Sequence, residues 1–286
     1  MISSRYTIST ATRRELDIAV DWAAAEGWNP GLHDADPFFA ADNGGYLIGK
    51  LDDQPVSTIS AVRYGDGFGF IGFYIVHPDH RGRGLGYEIW KSAMAQLEGR
   101  NVGLDGVVDQ QDNYRKSGFT LAYRNIRYAG RAGDCVQADA GNPQIQDIAA
   151  LPFSAVRDYD RPFFPDDREA FLRPWVAPPA GRALAWVNDG EIRGYGVIRA
   201  CRNGHKIGPL FTDEARVADA LLSALCATVP AADDVFLDVP EVNAEAVRLA
   251  EHRSMTLSFE TARMYTGPSP DLPLTRLFGV TTFELG

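Results

Sequence analysis

The sequence feature that most constrains the fold is a glycine-rich turn between an apolar strand and a helix. Residues 68–76 predict a strand, and Arg81 to Gly86 (RGRGLG) place three glycines at alternate positions before a helical stretch from Tyr87 to Leu97. Glycine lets the backbone turn tightly and lets N–H groups approach an anion unobstructed. The following helix N-terminus also favours negative charge. The turn predicts a phosphate-binding loop; taken alone, it is also compatible with a solvated turn carrying two surface arginines.

Two other phosphate-binding motifs fit the sequence less well. The three glycines give GxGxG after a predicted antiparallel meander, whereas dinucleotide-binding proteins have GxGxxG after a parallel strand. Gly44 to Lys50 matches GxxxxGK, but Leu51 stands where that motif has a metal-binding Ser or Thr. The segment YLIGKL also predicts a strand, so neither motif is assigned.

The hydrophobic pattern repeats one order of elements twice along the chain. The first half predicts strands at 6–9, 45–51, 56–64, 68–76, 102–107 and 122–126, with helices from 12, at 87–97 and ending at 118. Residues 27–39 are rich in Gly, Pro, Asn and Asp and predict a loop. The second half predicts helices at 144–150, 214–227 and 242–250, with strands at 183–188, 194–200, 206–211, 234–239 and through 264. This repetition indicates a diverged tandem duplication. The turn-rich segment 130–143 predicts a linker, with the boundary near residue 138.

Composition excludes several classes of protein. A chain of 286 residues exceeds the usual domain of roughly 100 to 200 residues, so two domains are expected. The net charge of −10 argues against a nucleic-acid partner, although it also serves solubility. The absence of a signal-like start or an apolar run of about 18 residues predicts a cytoplasmic protein that does not contact a membrane. Cys135, Cys201 and Cys226 are widely spaced without a CxxC pair, so we expect buried thiols and no metal site.

At two places the chain resembles the GNAT acetyltransferase superfamily. Arg81, Gly84 and Gly86 satisfy the family motif Q/R-x-x-G-x-G/A after the strand FIGFYIVHP. Downstream, NYRKSGF is similar to the family ending Y-x-x-x-G-F, with Tyr114 in the position of the tyrosine. The two motifs occur in the family's order and at its separation, which makes the pair far more specific than either motif alone.

The second half resembles the same family more faintly. Asn243, Ala246 and Leu249 fit its N-x-x-A-x-x-L pattern, but Ala250 takes the tyrosine position. FTDEARVADA stands where the loop belongs and contains no glycine, so coenzyme binding is not expected there. The resemblance implies an α/β (α+β) fold of two tandem GNAT-like domains, each a mixed, mostly antiparallel central sheet flanked by helices. Domain 1–138 would bind the coenzyme, and domain 139–286 would lack the pyrophosphate loop.

The resemblance also implies a coenzyme site in the first half. Acetyl-CoA would be the acyl donor, no metal would be needed, and the pantetheine arm would pair with the backbone of Tyr74, Ile75 and Val76 between two splayed strands. The pyrophosphate would be held by the loop residues Arg81, Gly82, Arg83, Gly84, Leu85 and Gly86. The family often has Asn seven residues before the tyrosine, where this chain has Val107.

Catalysis requires an acid for the leaving thiolate and a route for the amine proton. Tyr114 is the expected general acid, with ordinary helix packing as its alternative role. The nearest carboxylates to the cleft in sequence are Asp105 and Asp109, and we assign Asp109 as a catalytic candidate beside Tyr114, with His77 a weaker one. Each of these three could instead be structural. Because no Glu or Asp lies in residues 68–76, the sequence does not identify the base.

The acceptor is expected to be a small-molecule amine that enters near Trp28, Asn29 and Tyr74. Trp28 could equally lie in the core, and residues 157–175 are a further hypothesis for narrowing acceptor choice. Two other functions stay open: a non-catalytic sensor that binds acyl-CoA, and a protein lysine or N-terminal acetyltransferase that docks its substrate on the second half. Oligomeric state and acyl-chain preference are not indicated by the sequence.

Overall fold

The structure, a computed structural model, describes residues 6–136 and 142–286. These residues form thirteen strands and nine α-helices. The strands are β1 (Tyr6–Thr10), β2 (Tyr46–Leu51), β3 (Gln54–Tyr64), β4 (Phe68–Val76), β5 (Asn101–Val107), β6 (Thr120–Arg131), β7 (Ile145–Asp147), β8 (Gly181–Asn188), β9 (Glu191–Ala200), β10 (His205–Thr212), β11 (Asp234–Pro240), β12 (Thr256–Tyr265) and β13 (Leu277–Gly279). The helices are α1 (Arg13–Ala25), α2 (Ala35–Ala41), α3 (Leu85–Gln96), α4 (Gln111–Lys116), α5 (Ala132–Cys135), α6 (Phe153–Asp160), α7 (Glu169–Trp175), α8 (Ala215–Cys226) and α9 (Ala244–His252).

All of these strands belong to one continuous sheet that both halves build. Its order is β1-β2-β3-β4-β5-β12-β6-β11-β10-β9-β8-β7, and β13 pairs with β10. Most neighbours are antiparallel, but β4 runs parallel to β5 and β10 runs parallel to β11. The fold is therefore a mixed, mostly antiparallel sheet flanked by helices, as the sequence predicts.

The two halves exchange the strand that follows their last helix. β6 follows α4 of the first half but pairs with β11, and β12 follows α9 of the second half but pairs with β5. β6 and β12 also pair with each other at the centre of the sheet. Neither half consequently completes its own sheet without a strand from the other.

Matching buried ion pairs stabilise the two exchanged strands. Arg263 of β12 donates to both carboxylate oxygens of Asp105 on β5, at 2.8 and 2.6 Å. Arg127 of β6 donates to both oxygens of Asp238 on β11, at 2.7 and 2.8 Å. All four side chains are buried, so each arginine compensates a charge that would be costly to bury alone. The repeat of the Asp and Arg positions supports the tandem duplication.

Several predictions from the sequence are confirmed. α1 begins with a capping box, in which Thr12 accepts from the N–H of Glu15 and Glu15 accepts from the N–H of Thr12. YLIGKL is β2, and Lys50 pairs there with Glu15 at 2.6 Å, so the GxxxxGK match is not a phosphate loop. The three cysteines are buried and free.

Three expectations about local structure are wrong. The predicted linker 130–143 begins inside β6 and includes α5, because Ala132 and Cys135 pack fully buried in the second-half core. The predicted helix 144–150 is the strand β7 followed by one helical turn, because Ile145–Asp147 pairs with β8. The predicted loop 27–39 contains α2, which buries Phe38 against Trp175 of α7 at 5.9 Å between ring centroids. The boundary predicted near residue 138 lies outside the described residues.

No helix within the described part of the chain is long and apolar enough to span a membrane.

Candidate active site

The candidate site lies where β4 and β5 diverge, which we call the first fork. The two strands pair in parallel from Phe68 with Asn101 to Ile71 with Leu104, and no further. Beyond Ile71, β4 carries a bulge at Phe73, whose φ of 48° is left-handed, and two of its residues oppose one residue of β3. The resulting cavity between the strands has a volume of about 510 Å³.

The glycine-rich turn closes one end of this cavity. Gly82 and Gly84 adopt φ values of 74° and 79°, and a Cβ on either residue would face open space. Gly86 has a different role, because its Cβ position lies 2.9 Å from the hydroxyl oxygen of Tyr74 and so permits α3 to approach β4. The first N–H groups of α3 have no partners within the helix. This arrangement fits an anionic group with two phosphates, and Leu85 lines the cavity as well.

The arginines of the turn have partners within the protein. Arg81 lines the cavity, donates from Nε to the carbonyl of Val76 at 2.9 Å and forms an ion pair with Glu26. These bonds hold the turn against the end of β4 and against the residue that follows α1. Arg83 lies outside the cavity lining and bonds to Nδ1 of His80 at 2.9 Å. Their contribution to phosphate binding stays a prediction.

Tyr114 projects from α4 into the wall of the cavity. Its ring is buried and packs against Trp90, with the ring centroids 5.6 Å apart. Gly106 of β5 makes room for it, since a Cβ there would lie 2.3 Å from the tyrosine ring. Burial, and secondarily the neighbouring Tyr74, raises the pKa of Tyr114 well above its usual value. The phenol therefore keeps its proton at neutral pH, so Tyr114 faces the cavity in its protonated form.

The structure also brings Trp28 and the predicted arm-binding segment of β4 to the same cavity. Tyr74, Ile75 and Val76 line it, and burial raises the pKa of the Tyr74 phenol. Trp28 is half-buried and lines the cavity too. Its backbone carbonyl accepts from Nη1 of Arg127 at 2.8 Å and from Nζ of Lys206 at 3.2 Å. Buried cations thus position the tryptophan at the cavity wall.

Other predicted residues are placed elsewhere. Asp109 is exposed and lies outside the cavity lining, and His77 packs its ring against Trp22 with the centroids 5.5 Å apart. Asn29 uses its amide to bond the backbone of Asn203, donating at 2.8 Å and accepting at 3.2 Å. Asp105 does reach the cavity, but its carboxylate is engaged by Arg263 and by the amide of Asn125.

The segment 157–175 contributes to the core between the halves. It buries Phe163, Phe171 and Trp175 and holds Asp160 and Arg168 in a buried ion pair of 2.6 Å. None of its residues lines the cavity at the first fork. The hypothesis that it narrows acceptor choice is not supported by this placement.

Four cavity residues that the sequence analysis did not identify come from the second half. They are Phe259 and Thr261 of β12 and, after β13, Phe283 and Glu284. The strand exchange brings in the first pair, and the C-terminal tail, residues 277–286, brings in the second. The only sequence signal was the terminal TTFELG, in which apolar residues flank an acid.

The equivalent divergence in the second half, the second fork, is filled by the protein itself. β10 and β11 pair in parallel from His205 to Ile207 and then separate. The tail enters there as β13, which pairs with β10, and Val280 donates its N–H to the carbonyl of Asp238 on β11 at 2.8 Å. A Cβ on Gly208 would lie 2.5 Å from the carbonyls of Val280 and Thr281, which shows how closely the tail packs.

Within residues 6–136 and 142–286, no three His, Cys, Asp or Glu side chains are clustered as a metal site would require.

Comparison with known sequences identifies related proteins for both halves. Residues 13–119 match the Acetyltransferase (GNAT) family, and residues 156–279 match an Acetyltransferase (GNAT) domain. A holothin acyltransferase from Pseudoalteromonas sp. (strain SANK 73390) is 32% identical over 282 residues, which are 98% of this chain and 95% of that protein.

Solved structures share the full-length arrangement. A putative acetyltransferase from Pyrococcus horikoshii has a TM-score of 0.83 at 22% identity, over 100% of this chain and 98% of that one. A tandem GNAT protein from the clavulanic acid biosynthesis pathway has a TM-score of 0.64 at 14% identity, over 93% of this chain and 100% of that one. Both likenesses concern the fold, and both extend across the two halves.

Proposed function

The chain belongs to the GNAT family and is an acyltransferase, and from this premise we propose that it moves an acetyl group from acetyl-CoA to the amine of a small molecule. The observation that carries the proposal is the first fork, a cavity bordered by the glycine-rich turn at one end and by Tyr114 on its wall. The second half supplies part of the cavity lining but has its own fork filled. We propose one catalytic site per chain.

The turn would bind the pyrophosphate of the donor. Backbone N–H groups of Gly82 to Gly86 would donate to the phosphate oxygens, and the N-terminus of α3 would add a favourable field of about 0.3 to 1 kcal/mol per charge. The pantetheine arm would pair with the β4 backbone at Tyr74 to Val76, along the edge that β5 leaves unpaired beyond Ile71.

Acyl transfer would proceed by direct attack of the amine on the thioester. The carbonyl carbon forms a bond to nitrogen, the bond to sulfur breaks, and Tyr114 gives its proton to the thiolate. Cys135, Cys201 and Cys226 are buried away from the cavity lining, which supports a route without an acyl-cysteine. Intact mass measured after incubation with acetyl-CoA alone is expected to be unchanged; a stable 42 Da adduct, the mass of one acetyl group on any side chain, would contradict direct attack.

The name of the holothin acyltransferase favours a small-molecule acceptor over a protein for this chain. We propose this class without assigning the compound. In a panel of small amines and of peptides with a lysine or a free N-terminus, the small amines are expected to be acylated.

Turnover of acetyl-CoA over this panel tests the proposed function. Tyr114→Phe is expected to lower kcat by about 10²- to 10⁴-fold, the usual contribution of a general acid, while the Kd for coenzyme A stays within twofold. Tyr159→Phe, a tyrosine of the second half outside the cavity lining, is the matched control and should keep full turnover. Coenzyme binding without turnover of any acceptor would instead support a sensor.

A further inference from the structure

The C-terminal tail places a buried carboxylate in the cavity at the first fork. Glu284 lines the cavity with only 3% of its surface exposed. One of its oxygens, Oε2, accepts from the hydroxyl of Thr282. The other, Oε1, is buried and has no hydrogen-bond partner among the described residues. A buried carboxylate oxygen without a partner is costly, so a ligand group that donates to it would be bound favourably.

Glu284 lies where β4 separates from β5. The Cβ position of Gly72 is 2.1 Å from the backbone carbonyl oxygen of Glu284, so the tail contacts β4 at the residue before the bulge. Gly72 is four residues before Val76, about 13 Å back along the strand from the end that carries the glycine-rich turn. A donor held by its phosphates at the turn, with its arm along β4, would direct its acyl end toward Glu284.

Other carboxylates that line the cavity are already engaged. Both oxygens of Asp105 accept from Arg263, and Glu26 forms an ion pair with Arg81. Within the described residues, Glu284 is thus the buried carboxylate of this cavity that keeps an oxygen free for a ligand.

We propose that Glu284 is the general base of the first-half site, with Oε1 receiving a proton from the acceptor amine. The inference rests on the proposed function and assigns it the base that the sequence did not identify. The catalytic site is then composite: Tyr114 comes from the first half, and the base comes from the tail of the second.

An acceptor that arrives as an ammonium ion gives one proton to Glu284. The neutral amine that results attacks the thioester carbonyl carbon. The carbon–sulfur bond breaks, the thiolate takes the proton of Tyr114, and the second amine proton restores the tyrosine. Glu284 releases its proton to water, so one proton leaves per turnover. Without a base, an amine with a pKa of about 10.4 would be neutral in only about one molecule in 2,500 at pH 7.

Charged groups surround Glu284 from three neighbouring strands. Arg127 of β6 and Lys206 of β10 interact with its negative charge, which favours their cationic forms. Asp238 of β11 is held by Arg127. Burial, and then Arg127, lowers the pKa of Lys206. Tyr74 of β4 lines the same cavity, and its raised pKa keeps it neutral.

The test compares Glu284→Gln, Glu284→Asp and the control Glu245→Gln, an exposed glutamate of the second half. The full-length proteins are assayed with acetyl-CoA and an amine that the wild type acylates, from pH 6 to 10, and coenzyme A binding is measured by calorimetry. Glu284→Gln is expected to lower kcat/KM at pH 7 by at least about 100-fold, within the range for a general base, with the Kd for coenzyme A within twofold. Glu284→Asp should lose less of the wild-type kcat/KM and keep the wild-type pH profile. Glu245→Gln should have the kcat/KM of the wild type.

The pH profile separates a base from a structural role. The ratio of wild-type to Glu284→Gln kcat/KM should fall about tenfold per pH unit as the pH rises. This is because the neutral fraction of an amine with a pKa of about 10.4 grows about tenfold per unit below that pKa. If the wild type acylates an amine and Glu284→Gln does so equally well, the assignment of Glu284 as base is overturned while the proposed function stands. A loss of kcat/KM in Glu284→Gln that is constant across pH, or that accompanies lost coenzyme binding, also overturns the assignment. Failure of the wild type on every amine overturns the proposed function and this inference with it.

Discussion

The two forks of the sheet occupy equivalent positions in the two halves but differ in what lies between their strands. At the first fork β4 and β5 separate around a cavity of about 510 Å³, whereas at the second fork β10 and β11 separate around the chain's own tail. The first fork is followed by Gly82 and Gly84 before α3 and by Gly86 in its first turn, but the second is followed by Glu214 as the N-cap of α8, without glycine. Loss of the loop and filling of the fork therefore occur in the same half.

The second half contributes to the candidate site even though it has no glycine-rich turn of its own. Its strand β12 pairs with β5, and the tail that fills the second fork continues to Phe283 and Glu284 at the first. The exchanged strands thus place residues of both halves around one cavity. Separating them would remove β12 and the proposed base together.

The largest predicted effect tests whether the two exchanged strands are equivalent. Arg127→Met and Arg263→Met each leave a buried aspartate unpaired, so each is expected to lower the free energy of unfolding by about 3 to 5 kcal/mol. Urea denaturation measures both changes. The control Arg124→Met breaks exposed ion pairs and should cost less than about 1 kcal/mol. A cost below 1 kcal/mol for either buried arginine would contradict the equivalence.

Features that depend on adjacent residues could be predicted from the sequence, whereas the pairing of strands from different halves could not. The glycine-rich turn, the capping box at Thr12 and the position of Tyr114 each depend on a few adjacent residues. The strand exchange does not follow from adjacent residues. Both β5 and β11 carry a buried aspartate, and both β6 and β12 carry a buried arginine. Either pairing would satisfy the same local pattern.

Predictions failed where tertiary contacts overrode local preference. The Pro- and Gly-rich segment before residue 39 forms α2 because Phe38 is buried against Trp175 of the other half. The sequence does not indicate Glu284, because its place in the cavity depends on the tail crossing from the second fork to the first. No periodicity in TTFELG indicates that path, although an acid between Phe283 and Leu285 marks a buried charge.

A smaller effect, on coenzyme A affinity, is expected from a substitution in the glycine-rich turn. Gly84→Val places a β-branched side chain at a φ of 79°, and left-handed backbone costs such residues roughly 1 to 2 kcal/mol. Coenzyme A binding should weaken about tenfold or more, since tenfold corresponds to about 1.4 kcal/mol. Calorimetry on the variant measures it, with Glu214→Ala at the start of α8 as the matched control. Equal weakening by both substitutions would argue that the two helix N-termini bind coenzyme alike.

The smallest expected change in unfolding free energy concerns the first helix of each half. Glu15 caps α1 and pairs with Lys50, whereas α6 begins after Pro152 without a side-chain cap. The Lys50 ammonium and the N–H of Thr12 lower the pKa of Glu15 to about 2 in the folded chain. Glu15→Gln keeps an oxygen that can accept from the N–H of Thr12 but removes the charge that pairs with Lys50. It should therefore destabilise the protein by up to about 1 kcal/mol at pH 7, the upper end for a partly exposed ion pair.

The pH dependence of that loss follows from the direction of the shift. Because the folded-state pKa of Glu15 is about 2, below its unfolded value, the carboxylate contributes fully above about pH 4.3 and loses its contribution as the pH falls toward 2. The difference in unfolding free energy between wild type and Glu15→Gln should therefore vanish across that interval. A difference that stays constant down to pH 2 would show that the cap, rather than the charge, sets the stability.

A crystal structure with coenzyme A bound would show whether each chain holds one site built from both halves. We expect one coenzyme, with its pyrophosphate on the N–H groups of Gly82 to Gly86, its arm between β4 and β5, and its sulfur facing Tyr114 and Glu284. Residues 277–281 should still fill the second fork. Coenzyme bound between β10 and β11 with the tail displaced, or a sulfur directed away from Glu284, would contradict it.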